Sequence, residues 1–287
     1  IQAFDVALSP FRKYLNLGRT NYTPPLSLLM LAAVTPDDIE IQIIDERLDT
    51  INYDDPTDLV GITVVTRSAI RAYSIADEFR KRNIPVVLGG IHPSILPQEA
   101  SIHSDVVVIG EGEAVWPIIL EDAKKHELKP IYKGKPQMDL DKLPLPRRDI
   151  LPNPDQYLFT KVTTVSRGCP NTCSFCAAGF ATSKRYRTRS VAKVIDELSN
   201  IPGQGVLFLD DNIGWNIDYA KSLMRAMIPL KVKWAGATSL NALEDQEFVK
   251  LLSDSGCILI NLGFESTDPN TISAMKKQNT NNPARYH

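Results

Sequence analysis

The sequence predicts an α/β protein of two domains in series, each organised on a parallel sheet. Three observations predict it. Apolar strand-like runs alternate with helix-spaced stripes over residues 1–128. Prolines then crowd a polar stretch at positions 130, 136, 144, 146, 152 and 154. The alternation resumes at Lys161, just ahead of a run of three cysteines. With 287 residues the chain has room for two domains and a sizeable core. A hydrophobic share of 43 % and a charged share of 23 % are those of a globular protein. The formal net charge of −2 gives no electrostatic reason to expect a nucleic-acid or membrane partner. No apolar run reaches the roughly 18 residues of a membrane helix. No secretory leader is read at the amino end, and cysteines kept as thiolates need a reducing compartment, so a cytoplasmic location is expected. The chain starts without methionine and ends in a polar run, so a fragment of a longer protein is expected.

The first domain is expected over residues 1–128. A weak first strand is read at Asp5-Val6-Ala7-Leu8, and Pro24-Pro25 opens a buried helix running to Ala33. Ile39 to Asp45 reads as the second strand. Leu59 to Val65 is the third, apolar on both faces as central parallel strands are. Ala72, Ile75, Ala76 and Phe79 fall at helical spacing. Ile84 to Leu88 and Asp105 to Ile109 complete five strands, and Ala114 to Ala123 makes a closing helix. This pattern is similar to the flavodoxin-type doubly wound sheet, in which ligands sit outside the carboxyl ends of the strands. Three turns lie at those ends: Thr63 to Ser68, Gly89-Gly90-Ile91-His92-Pro93 and Gly110-Glu111-Gly112-Glu113. Their glycines either admit a ligand close to backbone or simply make tight strand–helix turns.

Residues 129–157 read as a proline-rich extended linker. From residue 158 a second domain is expected. Lys161 to Ser166 is its first strand, with the cysteine loop at its carboxyl end, where βα barrels gather their sites. Ser190 caps a helix striped by Val191, Val194, Ile195 and Leu198. Val206 to Leu209, Lys233 to Ala237 and Cys257 to Leu262 are further strands. Helices carrying Ala220 to Met227 and Phe248 to Leu252 lie between them, and one at Asn270 to Lys277 follows. Four βα units result.

Cys169, Cys173 and Cys176 are spaced C-x3-C-x2-C and are three of the 4 cysteines. Zinc normally takes four protein ligands, and neither a nearby histidine nor a fourth clustered cysteine is in view. An iron–sulfur cube also normally takes four thiolates; three would leave one iron open to a ligand. A small zinc site or three unrelated core cysteines are the alternatives. Cys257, in an apolar strand, reads as an inert core residue.

The trio, with Phe175 before its last cysteine, resembles the signature of the radical S-adenosylmethionine (SAM) superfamily. Gly89-Gly90, with Thr63-Val64-Val65 upstream, resembles the cobalamin-binding domain. Together the two halves resemble the cobalamin-dependent radical SAM group that includes hopanoid C-2 methylase and anaerobic magnesium-protoporphyrin ester cyclase. The resemblance implies a flavodoxin-like sheet followed by a partial radical SAM (β/α) barrel, truncated after its first four units. It implies a 4Fe–4S cluster on Cys169, Cys173 and Cys176, with SAM on the open iron. It further implies cleavage to a 5′-deoxyadenosyl radical, a small-molecule substrate, and an external one-electron donor of flavodoxin or ferredoxin type. Phe175, Asp211, Ser239, Asn241 and Glu265 stand at the positions that would contact SAM, although the family's Gly-Gly-Glu is absent at Asp210-Asp211-Asn212. Those tandem acids alternatively cap the next helix. Thr63, Gly89, Gly90, Gly110 and Glu111 would hold cobalamin. The family's D-x-H-x-x-G motif is missing between Ser9 and Pro24, so no histidine is expected below the cobalt, and His92 reads as structural. Arg185, Arg187 and Arg189 either line the site or face solvent. The activity implied is a transferase that methylates an unactivated carbon; radical cyclisation or oxidation, or an inactive cofactor-binding remnant, are the alternatives.

Overall fold

The structure, a computed structural model, describes residues 23–137, 139–157, 159, 161–178, 184–201, 205–277 and 281. Two compact units are present, one built around Pro25–Pro152 and the other around Asn153–Cys176 with Arg185–His287.

In the first unit four strands, β1 (Val60–Thr63), β2 (Val86–Gly89), β3 (Val106–Gly110) and β4 (Ile131–Gly134), pair in parallel in chain order. The alternating direction of side chains along a strand sends successive residues to opposite faces. Val86 and Leu88 of β2 and Val107 of β3 enter one apolar cluster with Ala72, Ala76 and Phe79. Those last three lie on the helix Ala69–Arg80. Val87, Val106 and Val108 enter a second cluster with Val115, Ile119 and Tyr132. Both faces of the sheet are therefore covered, as a doubly wound α/β sheet requires. The helices are α1 (Leu26–Ala33), α2 (Ala69–Arg80), α3 (Ile91–Ile95), α4 (Pro97–Ala100) and α5 (Trp116–Lys124).

Two segments differ from the sequence reading. Ile39 to Asp45 is not a strand. Asp5 to Leu8, read as the first strand, lies outside the described residues. Conversely β4 falls inside the stretch read as linker. Pro130 cannot donate to a ladder, but its carbonyl accepts from Val107 N at 2.9 Å and starts the pairing. Tyr132 is buried against α5, where its hydroxyl donates to Asp122 Oδ2 at 2.5 Å.

The second unit repeats a parallel sheet, in the order β10-β9-β8-β5, from β5 (Lys161–Thr163), β8 (Gly205–Phe208), β9 (Lys233–Ser239) and β10 (Cys257–Gly263). A two-residue ribbon, β6 (Ser166–Arg167) against β7 (Arg187–Thr188), is antiparallel. Helices α6 (Val191–Asn200), α7 (Ile217–Met227), α8 (Gln246–Asp254) and α9 (Pro269–Ala274) follow the strands. Each starts with a polar cap that takes up an otherwise orphaned amide. Ser190 accepts from Lys193 N, Asn216 from Tyr219 N, Asp245 from Phe248 N and Asp268 from Thr271 N. Their stripes, Val194 and Leu198, Leu223 and Met227, Phe248 and Leu251, pack into one core around Phe208 and Trp234. The sheet and its capped helices fit the partial barrel expected. Among the described residues, no helix is long and apolar enough to cross a membrane.

The β3–β4 pairing depends on close backbone approach. A Cβ on Gly134 would stand 1.7 Å from Glu111 O, whereas one on Gly205 meets nothing within 4 Å. Gly134→Ala should therefore destabilise the first unit by about 3 kcal/mol or more. Gly205→Ala should be neutral or stabilising by up to about 1 kcal/mol. Urea melts of the two variants check this; equal midpoints would refute the tight contact.

Candidate functional site

The site in the second unit starts from Asp210, at the end of β8. Its buried carboxylate accepts from Val165 N at 3.1 Å, and from Ser166 N and Ser166 Oγ at 2.5 Å each. Those amides are spent on a side chain rather than on a ladder, which is why the strand read over Lys161 to Ser166 stops at Thr163. The chain then turns into the β6–β7 ribbon, and the cysteine loop leaves from β6. Gly168, with φ 87°, makes the turn into Cys169.

All three loop cysteines are free thiols, partly buried. Burial pushes the Cys169 and Cys173 thiols up, and each also feels the charge of Cys176. Asn171 Nδ2 donates to Cys169 Sγ at 3.4 Å. Among the described residues no three His, Cys, Asp or Glu side chains converge as for a single metal ion. A cluster presents separate irons to separate thiolates, so it does not require that convergence, and bound metal deprotonates the thiols outright. Three neighbouring free thiols with no fourth cysteine beside them suit a cube with one open iron. Cys257 stands apart at the start of β10, its thiol pushed up to about 11 by burial and packed against the core.

Around the loop the fold gathers four more groups. Asp211, exposed at the end of β8, adds to the upward push on Cys169. Crowding by protein raises its own pKa. Glu265 lies past the end of β10 in the left-handed region, φ 55°, a conformation that costs a side-chain-bearing residue about 1–3 kcal/mol. Lys277, buried beyond α9, forms an ion pair with Glu265, and its Nζ sits 5.6 Å from the centre of the half-exposed Phe175 ring. Its positive charge opposes the upward push on Cys173. Ser174 N donates to Met275 O at 3.0 Å, so the loop is also tied to this segment through backbone. Gly263 lacks a Cβ where one would lie 2.6 Å from Lys277 Nζ.

The remaining predicted contacts separate. Ser239, buried at the end of β9, receives a hydrogen bond from Asn212 Nδ2 at 3.0 Å, and its amide donates to Asn212 Oδ1 at 3.2 Å. Asn241 is exposed on the following turn. Arg189 neither lines the site nor faces solvent: it pairs at 2.5 Å with the buried Glu197. Arg187 is buried in β7 and Arg185 is exposed. The sequence reading singles out neither Lys277 nor Tyr186, and it names Asn212 only within the strand-end triplet. Asn212 had a signal in its strand-end triplet, whereas Lys277 and Tyr186 had none.

In the first unit Thr63, Gly89 and Gly110 end three adjacent parallel strands, with Thr63 in register with Gly89. Thr63 Oγ1 accepts from Ser27 Oγ at 3.2 Å. Gly90 has φ 101°, and a Cβ there would lie 2.9 Å from Val64 O, so the turn itself demands glycine. Ser94 joins two of these turns, donating to Gly90 O at 2.7 Å and accepting from Gly110 N at 3.0 Å. Glu111 is buried and accepts from Gln137 N at 3.2 Å. His92 is buried, with Nε2 2.8 Å from Tyr73 Oη and Nδ1 3.3 Å from Thr66 Oγ1. A row of small residues along three strand ends suits a cofactor tail laid against backbone.

Comparison with known proteins agrees with this geometry. Residues 13–120 match the family model of the B12 binding domain, and residues 163–285 match that of the radical SAM superfamily. The chain thus carries a B12-binding domain followed by a radical SAM domain. It is 35 % identical over 281 residues to bacteriochlorophyllide d C-8(2)-methyltransferase of Chlorobaculum tepidum, covering 91 % of this chain and 62 % of that protein. It is 33 % identical to bacteriochlorophyllide d C-12(1)-methyltransferase of the same organism, covering 88 % and 58 %. The chain thus spans about three fifths of the length of these curated relatives. Its fold is that of the radical SAM methyltransferase TsrM from Kitasatospora setae, solved with cobalamin and a 4Fe–4S cluster. That match has a TM-score of 0.72 at 20 % identity over 88 % of this chain and 60 % of that one. The two domains imply a 4Fe–4S cluster and SAM in the radical SAM domain, and cobalamin in the B12-binding domain.

Burial raises the Asp210 carboxyl from 3.8 to about 6 against the opposing pull of its hydrogen bonds. A folded pKa above the unfolded one stabilises the fold at low pH, and that contribution is lost as pH rises through the folded value. The radical SAM domain should lose up to about 3 kcal/mol of stability between about pH 4 and pH 6 through this group. Asp210→Asn should remove that part of the profile, as urea melts across the range would show; identical pH profiles would contradict the assignment.

Proposed function

We propose that this protein is a cobalamin-dependent radical SAM methyltransferase acting on an unactivated carbon of a small molecule. The observation that carries the reading is the union in one chain of a B12-binding domain and a three-cysteine radical SAM loop. Both relatives quoted above are carbon-position methyltransferases by name, which favours methylation over cyclisation. When bound, the cluster supplies the electron that cleaves SAM, and cobalamin carries the methyl group.

The chain's own residues have separable tasks. Cys169, Cys173 and Cys176 ligate the cluster. Lys277 holds Glu265 and Phe175 beside the loop, and Asp211 and Glu265 offer carboxylates to the cationic amino and sulfonium groups of SAM. Asn212 and Ser239 secure the β8 and β9 ends against each other, with Asn241 exposed nearby for polar contact. Thr63, Gly89 and Gly90 receive the cobalamin tail, with Gly110 and Glu111 shaping the adjoining turn. Reducing equivalents come from an external flavodoxin- or ferredoxin-type donor.

Anaerobic reconstitution should give about four iron and four sulfide per chain. Cys169→Ala, Cys173→Ala and Cys176→Ala should each abolish it, and Cys257→Ala should not. With cobalamin, SAM and a strong reductant, the wild type should form both S-adenosylhomocysteine and 5′-deoxyadenosine, measured by mass spectrometry. The three loop variants should lose the 5′-deoxyadenosine. Zinc without sulfide, or 5′-deoxyadenosine with no S-adenosylhomocysteine, would sink the methyltransferase reading.

A further inference from the structure

Tyr186 carries a polar atom that the protein leaves without a partner. The antiparallel register places Ser166 opposite Thr188 and Arg167 opposite Arg187. Tyr186 directly precedes β7, and Gly168, the residue before Cys169, directly follows β6. Its phenol oxygen is buried and accepts or donates no hydrogen bond. Ser166 is close enough to act on the phenol, but its own hydroxyl proton is committed to Asp210 at 2.5 Å. The charges of Asp210 and Cys169 both act on the ring hydroxyl, so it stands where negative charge collects.

A buried hydroxyl without a partner costs about 1–3 kcal/mol, and native proteins rarely leave one unless something outside the chain completes it. A phenol keeps its proton, and so can donate, across the working pH range. A cluster on Cys169 would bring thiolate and sulfide sulfur, both acceptors, to this corner of the loop. We propose that the Tyr186 hydroxyl is a hydrogen-bond donor to the sulfur atoms of the cluster at its Cys169 corner. This rests on the assignment of the three cysteines to a cluster. A donor there stabilises the more negative, reduced form and raises the reduction potential, since hydrogen bonds to sulfur are among the terms that set it.

Tyr219 provides the contrast. Its phenol lies in the same domain but donates to Val165 O at 3.3 Å, a bond internal to the protein. The test is a pair of full-length variants, Tyr186→Phe and Tyr219→Phe, studied with and without reconstituted cluster. Without cluster, Tyr186→Phe should melt at or above the wild-type temperature, because it deletes an unsatisfied group, whereas Tyr219→Phe should melt lower. With cluster, Tyr186→Phe should retain iron and sulfide while its potential, followed by electron paramagnetic resonance in a redox titration, moves to more negative values. Tyr219→Phe should leave the potential in place. Apoprotein destabilised by Tyr186→Phe to the extent of Tyr219→Phe would show that the phenol has a protein partner and overturn the proposal. An unchanged potential in cluster-loaded Tyr186→Phe would overturn it too. A wild type that binds no cluster would overturn the underlying assignment together with it, and iron and sulfide content tells that failure from the other two.

Discussion

The buried carboxylate of Asp210 is the contact on which the radical SAM site depends. It takes the amides of Val165 and Ser166, together with the Ser166 hydroxyl. From the other side, Arg189 N and Tyr219 Oη donate to Val165 O. The stem of the cysteine loop is thus held through donors and acceptor alike. A continuous strand would have carried the chain along the sheet. Because these groups are taken, the chain leaves the sheet after Thr163 and turns at Gly168, and three thiols appear on a loop rather than on alternating faces of a strand.

Two buried charges in this domain meet an opposite charge, which offsets part of their desolvation cost. Arg189 meets Glu197, which also accepts from Thr163 Oγ1 at 3.1 Å and so ties α6 to β5. Lys277 meets Glu265 and lies over Phe175. The second group does more than neutralise. It joins the turn after β10 to the cysteine loop, and it holds a left-handed glutamate at the mouth of the site. The B12-binding domain ties its turns with side-chain hydrogen bonds, Ser94 bridging two glycine turns and Tyr73 lying beside His92.

Much of the fold was legible because its causes are local. Residues 106–108 alternate between two apolar clusters, as a doubly wound strand must, and the run of valines announced it. Ser190 capped α6 where the pattern placed it. Two segments were misread for opposite reasons. Ile39 to Asp45 has strand-like composition but forms no ladder among the described residues. Ile131 to Gly134 sits among prolines, yet a proline carbonyl suffices to begin an edge strand.

The sequence by itself determined the order of the two domains and the three cysteines, because period and spacing are properties of a few neighbouring residues. Only the tertiary structure decided which charged and polar groups share the site. Lys277 reaches Phe175 across a hundred positions of chain, and Asp210 reaches Ser166 across 44. Tyr186 is brought to the stem of the cysteine loop by a two-residue ribbon that it directly precedes. Such meetings follow from where parallel strands end and which amides are left over there. That is settled by packing of the whole sheet, and no local pattern encodes it.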